Sequence, residues 1–141
     1  MCHRCRYKVG YTGGVYDILH EGHLNLLRRA RALCDHLVVG IQVDEWVAKM
    51  KPLPILNTEE RVRQMKSIGI ADEVVTYGDP QKPEALQRVK PDVFIHGADW
   101  EEQTDRSVVL EYMAKHGIDK VLLPRTDGIS TSEIIRRIKE R

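Results

Sequence analysis

The chain has 141 residues, 42% hydrophobic and 30% charged, the balance of a soluble globular protein, and at roughly 100–200 residues per domain it makes one domain with room for a proper core. Lys plus Arg number 22 against 21 Asp plus Glu, so the net charge of +1 implies neither nucleic acid nor a membrane surface as a partner. No apolar run approaches the roughly 18 residues of a membrane span, and three cysteines are too few, and odd in number, for a disulfide framework, so a cytoplasmic protein is expected.

Residues 1–6 read as a tail. The stretch from Met1 to Lys8 is basic but has no apolar core after it, so it is not a secretory signal. Cys2 and Cys5 form a C-x-x-C pair without the second pair that a metal site would want, and read as part of a frayed end. Tyr7 to Thr12 predicts a strand running into a Gly13-Gly14 turn. Gly22 to Cys34, with Leu24, Leu27 and Arg31 to Leu33 at helical spacing, predicts the first helix, with Cys34 as a small core residue. His36 to Gln42 is a near-continuous apolar run, as in a strand covered on both faces. Lys49 to Asn57 carries two prolines and two lysines and predicts a mobile loop beside an active site. Asn57 is the N-cap of a helix over Thr58 to Ile68, with acidic residues in its first turn. Then follow a strand at Glu73 to Tyr77, a helix at Glu84 to Val89, a strand at Asp92 to His96, a helix at Val108 to His116, a strand at Lys120 to Pro124 and a helix at Ser130 to Lys139. Ile134, Ile135 and Ile138 give that last helix an apolar face.

Strands alternating with helices imply βαβ units. The expected fold is α/β, a single Rossmann-like doubly wound domain over 7–141 with a mostly parallel five-stranded sheet. Ligands of such sheets bind beyond the carboxyl ends of the strands, at the topological switch point.

Two segments carry chemistry. In G-G-V-Y-D-I-L-H-E-G-H, Gly13 to His23, two glycines let backbone approach a ligand, and His20 and His23, three apart at a helix start, share one face. Imidazoles beside the free N–H groups of a helix N-terminus suit a phosphoryl group, with Gly22 leaving room for it. The bland readings are an ordinary glycine turn and a solvated histidine pair. Zinc helices of the protease type need a four-residue spacing, which this pair lacks. The second segment is R-T-D-G-I-S-T, Arg125 to Thr131. Ser130 or Thr131 can cap the last helix, whose free N–H groups suit a phosphate chain, and Arg125 offers a planar fork to phosphate. A well-capped turn with nothing bound is the alternative there. The two segments follow the first and fifth predicted strands, which in a doubly wound sheet can end on the same edge.

H-E-G-H and R-T-D-G-I-S-T together resemble the cytidylyltransferase branch of the H-x-G-H nucleotidyltransferases, from about Tyr7 to Arg141; the small single-domain form is most similar to members acting on glycerol 3-phosphate. The resemblance implies that a phosphate oxygen of a small phosphorylated alcohol attacks the α-phosphorus of CTP, giving a CDP-alcohol and pyrophosphate. It implies catalytic roles for His20 and His23 and for a loop lysine, Lys49 or Lys51. Gly13, Gly14, Val15, Asp99, Arg125, Gly128, Ile129, Ser130 and Thr131 would join the two histidines in holding the nucleotide. Asp17, Arg61 and Trp100 would serve the substrate side, with Arg63 a weaker candidate. Mg2+ would come with CTP, and a homodimer is expected from the family alone. Val15 stands where the glycerol-type pattern has a hydroxyl, Gly13 where the choline-type pattern has an acid, and His96-Gly97 resembles the ethanolamine type. The H-x-G-H motif also marks adenylyltransferases for heptose 1-phosphate or a flavin. A nucleotide-binding module without catalysis is the alternative of another class.

Overall fold

The computed structural model describes residues 7–141, so Cys2 and Cys5 lie outside the described residues. In chain order the elements are β1 (Tyr7–Gly14), α1 (Glu21–Leu33), β2 (Cys34–Gln42), α2 (Asp44–Met50), α3 (Thr58–Ser67), β3 (Glu73–Tyr77), α4 (Glu84–Val89), β4 (Val93–Gly97), α5 (Trp100–Gln103), α6 (Ser107–Lys115), β5 (Asp119–Leu123) and α7 (Thr131–Lys139). The architecture is the expected α/β one. The sheet has five strands in the order β3-β2-β1-β4-β5, parallel throughout. The chain builds outward from β1 to β3, then returns to the other side of β1 for β4 and β5. The connections leaving β1 and β4 therefore diverge at their carboxyl ends and open a crevice there.

Both faces of the sheet are covered, which is why its central strands read as unbroken apolar runs. Leu37, Val39 and Ile41 of β2 point with Val93 and Ile95 of β4 into one core, which α1 closes with Leu27 and Ala30 and α3 with Met65. The residues between them, Val38 and Phe94, point with Tyr11 into the second core, closed by Leu86 of α4 and by Val109 and Met113 of α6. The period of two along each strand thus divides the side chains between two helical layers. Asn57 caps α3 as expected: its Oδ1 accepts from the Glu60 N–H at 2.9 Å, and the Glu60 carboxylate accepts from the Asn57 N–H at 3.0 Å. No helix among the described residues is long and apolar enough to cross a membrane.

Three local expectations change. Gly13 and Gly14 are not a turn. They continue β1, paired with Gly40 and Ile41 of β2. Their neighbour explains the glycine: a Cβ on Gly13 would lie 2.8 Å from the Tyr11 Oη, and one on Gly40 would overlap that oxygen. Cys34 is fully buried but opens β2, since α1 passes into the strand with no intervening loop. The irregular stretch expected from Lys49 shrinks at its start, because α2 reaches Met50. This helix is too short for periodicity to announce it, and long-range contacts hold it: the Asp44 N–H donates to Thr58 Oγ1 at 3.0 Å, and the Thr58 N–H donates back to Asp44 Oδ2 at 3.1 Å. The single turn of α5 is equally silent in the sequence.

Candidate active site

The strand β1 ends at Gly14, and Tyr16 then adopts a positive φ of 50°, a conformation rare for a bulky residue. Its hydroxyl shares a hydrogen bond of 3.2 Å with the buried Thr12 Oγ1, which holds the turn in place. His20 follows as the N-cap of α1. Its Nδ1 accepts from the Gly22 N–H at 3.0 Å, while the His20 N–H donates to His23 Nδ1 at 3.4 Å. The His20 Nδ1 is thereby an acceptor and its neutral ring carries the proton on Nε2, while the His23 ring also hydrogen-bonds the Ile18 backbone. The rings stack with centroids 3.9 Å apart. Burial lowers the pKa of His20, and burial together with the neighbouring His20 lowers that of His23 to about 4. At neutral pH the pair is two uncharged rings side by side. Gly22 is required by this stacking, because a Cβ there would lie 2.8 Å from the His20 ring.

The second segment leaves β5 and lies against the first. The Cβ position of Gly22 is 3.5 Å from the Ile129 side chain, and Asn25 of α1 donates to Thr126 Oγ1 at 3.1 Å. Gly128 has a φ of 78°, a left-handed turn that sets up the start of α7. Ser130 is the N-cap of that helix, its Oγ accepting from the Glu133 N–H at 3.1 Å. Arg125 is largely exposed and pairs with Asp99 at 3.1 Å.

These parts line one cleft of about 620 Å³. Gly13, Gly14, Val15, His20, His23, Asp99, Arg125, Ile129, Ser130 and Thr131 all border it, whereas Gly128 lies on a shallower groove beside it. His96, at the end of β4, also faces the cleft. Its Nε2–H donates to the Gly13 carbonyl at 2.7 Å and its Nδ1 accepts from the Gly97 N–H at 2.9 Å. Burial lowers its pKa to about 4, so it bridges the switch point as a neutral ring. Lys51 and Lys82 stand at the walls. Lys82 and Arg106 are cleft residues that sequence reasoning missed, since neither belongs to a motif.

Four candidates are engaged differently than expected, two of them outside the cleft. Arg61 is fully buried and does not border the cleft. Its five N–H donors are committed to the carbonyls of Leu56, Val15 and Gln42, to Asp44 Oδ1 at 2.5 Å and to Thr58 Oγ1 at 3.4 Å. It ties the ends of β1 and β2 together and has no donor left for a substrate phosphate. Asp17 borders the cleft, but its carboxylate accepts from the Ile55 and Leu56 N–H groups at 2.8 and 2.9 Å and so anchors the 51–57 loop. Trp100 borders the cleft from the second core, 2% exposed, with Phe94 at 4.8 Å and the Arg106 guanidinium over its ring at 4.6 Å. Lys49 lies outside the cleft with its ammonium 3.9 Å over the Trp46 ring, which leaves Lys51 as the cleft lysine of that loop.

A sequence model of the cytidylyltransferase-like family matches residues 11–137. The bifunctional protein HldE of Gluconacetobacter diazotrophicus is 37% identical over 134 residues, 94% of this chain and 27% of that protein. The ethanolamine-phosphate cytidylyltransferase of Dictyostelium discoideum is 38% identical over 130 residues, 91% of this chain and 36% of that protein. The chain thus spans about a third or less of the length of these relatives. Among solved structures, the lipopolysaccharide core biosynthesis protein of Thermoplasma volcanium superposes with a TM-score of 0.71 at 24% identity, covering 85% of this chain and 97% of that one, which bears on the fold alone.

Proposed function

Because the chain belongs to the cytidylyltransferase-like family, we propose that it transfers CMP from CTP to a small phosphorylated alcohol, releasing pyrophosphate. The observation that carries this reading is the single cleft shared by the stacked His20–His23 pair and the Arg125–Thr131 segment at the head of α7. A phosphate oxygen of the acceptor attacks the α-phosphorus in line, the bond from that phosphorus to the bridging oxygen breaks, and pyrophosphate departs. No covalent enzyme intermediate is required, so the work of the protein is alignment and charge stabilisation. Ring N–H groups of the His20–His23 pair donate to oxygens of the crowded α-phosphoryl centre. Their neutrality at rest lets them enter the cleft without a desolvated charge, and arriving phosphates raise their proton affinity as charge accumulates. The first turn of α7 and Arg125 hold the outgoing pyrophosphate end, with Lys51 reaching in from the loop.

The carboxylates bordering the cleft, Asp17 and Asp99, are both engaged, one by backbone N–H groups and one by Arg125. Magnesium arriving with the triphosphate would therefore draw little on these side chains, and would supply charge neutralisation beside the phosphates. Association of two copies follows from family resemblance and belongs to the proposal.

Glycerol 3-phosphate is the acceptor proposed first. Phosphoethanolamine is the second reading, favoured by the 38% identity to the Dictyostelium protein of that name. The test is pyrophosphate release from CTP, and separately from ATP, with glycerol 3-phosphate, phosphoethanolamine, phosphocholine and sugar phosphates as acceptors. Release with ATP and none with CTP overturns the nucleotide assignment. Binding of CTP with no turnover by any acceptor supports a non-catalytic module instead.

A further inference from the structure

On the side of the second core, the chamber of this cleft is lined by Tyr11, Tyr77, Phe94 and Trp100, with Arg106 over the Trp100 ring. Arg106 is 8% exposed. Its Nε donates to the Trp100 carbonyl at 3.0 Å, one Nη to the Pro80 carbonyl at 3.2 Å and the other to Gln103 Oε1 at 3.1 Å. A guanidinium has five N–H groups, so two remain, one on each Nη. All three partners are neutral, and among the described residues no carboxylate lies within ion-pair distance of it. Burial correspondingly lowers its pKa. Arg61 is the contrast: fully buried, it has Asp44 as a counter-ion and all five donors spent. A buried cation without a counter-ion is costly, and one with donors to spare beside a cavity is stabilised by an incoming anion.

We propose that Arg106 is the acceptor-phosphate ligand of this cleft and that the chamber takes a hydroxylated phosphomonoester without a cationic amine. This rests on the transferase reading and names its acceptor. Arg106 covers the Trp100 ring at 4.6 Å, the Trp100 and His96 rings are 5.9 Å apart between centroids, and His96 is bonded to Gly13 near the end of β1, which links the guanidinium through two rings to the strand from which the histidine segment leaves. An acceptor ammonium fares poorly in the same space. The face of Trp100 is already covered by Arg106, Phe94 packs against both Tyr11 and Trp100, and Asp17 and Asp99 are engaged. The aromatic wall therefore does not form a free cage for a cation.

The test is calorimetric titration of the full chain with glycerol 3-phosphate, phosphocholine and inorganic phosphate, alongside CTP. The unaltered protein is expected to bind glycerol 3-phosphate at least about 10-fold more tightly than phosphocholine. Arg106→Gln should weaken glycerol 3-phosphate by about 10-fold or more and leave CTP within about 2-fold, with Arg106→Lys in between because charge stays and the fork is lost. Should Arg106→Gln fail to fold, Arg106→Lys decides, since equal affinity there refutes the assignment. The proposal is also overturned if Arg106→Gln binds glycerol 3-phosphate like the unaltered chain, if phosphocholine binds as tightly, if no phosphate probe binds, or if CTP and acceptor affinity fall together. Loss of CTP binding in the unaltered protein sinks the transferase reading instead, and the phosphate arms still report on Arg106.

Discussion

Arg61 offers the sharpest test of how this fold spends its charges. Replacing it with Met leaves Asp44 without its buried partner and strips the Val15, Gln42 and Leu56 carbonyls of a donor. Removing one member of a buried ion pair costs about 3–5 kcal/mol, and each carbonyl left dry adds about 1–3 kcal/mol. Two effects reduce the sum: Asp44 is 34% exposed and keeps part of its hydration, and water can enter beside the strand ends. A net loss of about 4 kcal/mol is expected, a large share of the roughly 5–15 kcal/mol that stabilises a domain of this size. Urea unfolding followed by circular dichroism reads it as a midpoint lowered by about 2 M at an m-value near 2 kcal/mol/M. Arg61→Lys should lose stability as well, since three ammonium donors replace five. The reasoning is refuted if Arg61→Met unfolds within about 1 kcal/mol of the unaltered chain while the KM for the acceptor rises, for that pattern belongs to a substrate ligand.

Other outcomes follow from the same geometry. His20→Ala or His23→Ala should lower kcat by roughly 10²–10³, the usual loss for one transition-state donor, and near-normal turnover in either excludes the role. Lys51→Ala should weaken nucleotide use, whereas Lys49→Ala, whose ammonium sits on Trp46 outside the cleft, should leave kcat/KM within about 2-fold. His23 and His96 each have a folded pKa of about 4, below the ordinary 6.5, so the unfolded chain binds more protons between those values. Stability should be full above pH 6.5 and fall as the pH drops toward 4, by up to about 3 kcal/mol for each ring. A His96→Asn variant should show a shallower fall in denaturation at pH 7, 5.5 and 4.5, and an unchanged slope would contradict the burial argument.

Elements whose cause is local were legible in the chain. Asn57 and Glu60 close a reciprocal cap over three residues, the β2 run is apolar because both of its faces are covered, and Ser130 caps the helix it precedes. The histidine segment and the Arg125–Thr131 segment were likewise readable, because their residue types and spacing are contiguous. The strand character of Gly13 and Gly14 was not, because it depends on where the Tyr11 hydroxyl lies against β2.

The sequence by itself determined the alternation of strands and helices, their capping, and the make-up of the two motif segments that border the cleft, since each depends on neighbours within a few residues. Only the tertiary structure decided the fate of the isolated charges. Arg61 reaches Val15, 46 positions away, and is exhausted by it and its companions, while Arg106 meets only neutral groups and faces the cleft. Burial and hydrogen-bond supply are properties of segments brought together from distant parts of the chain, so no local pattern distinguishes one arginine from the other.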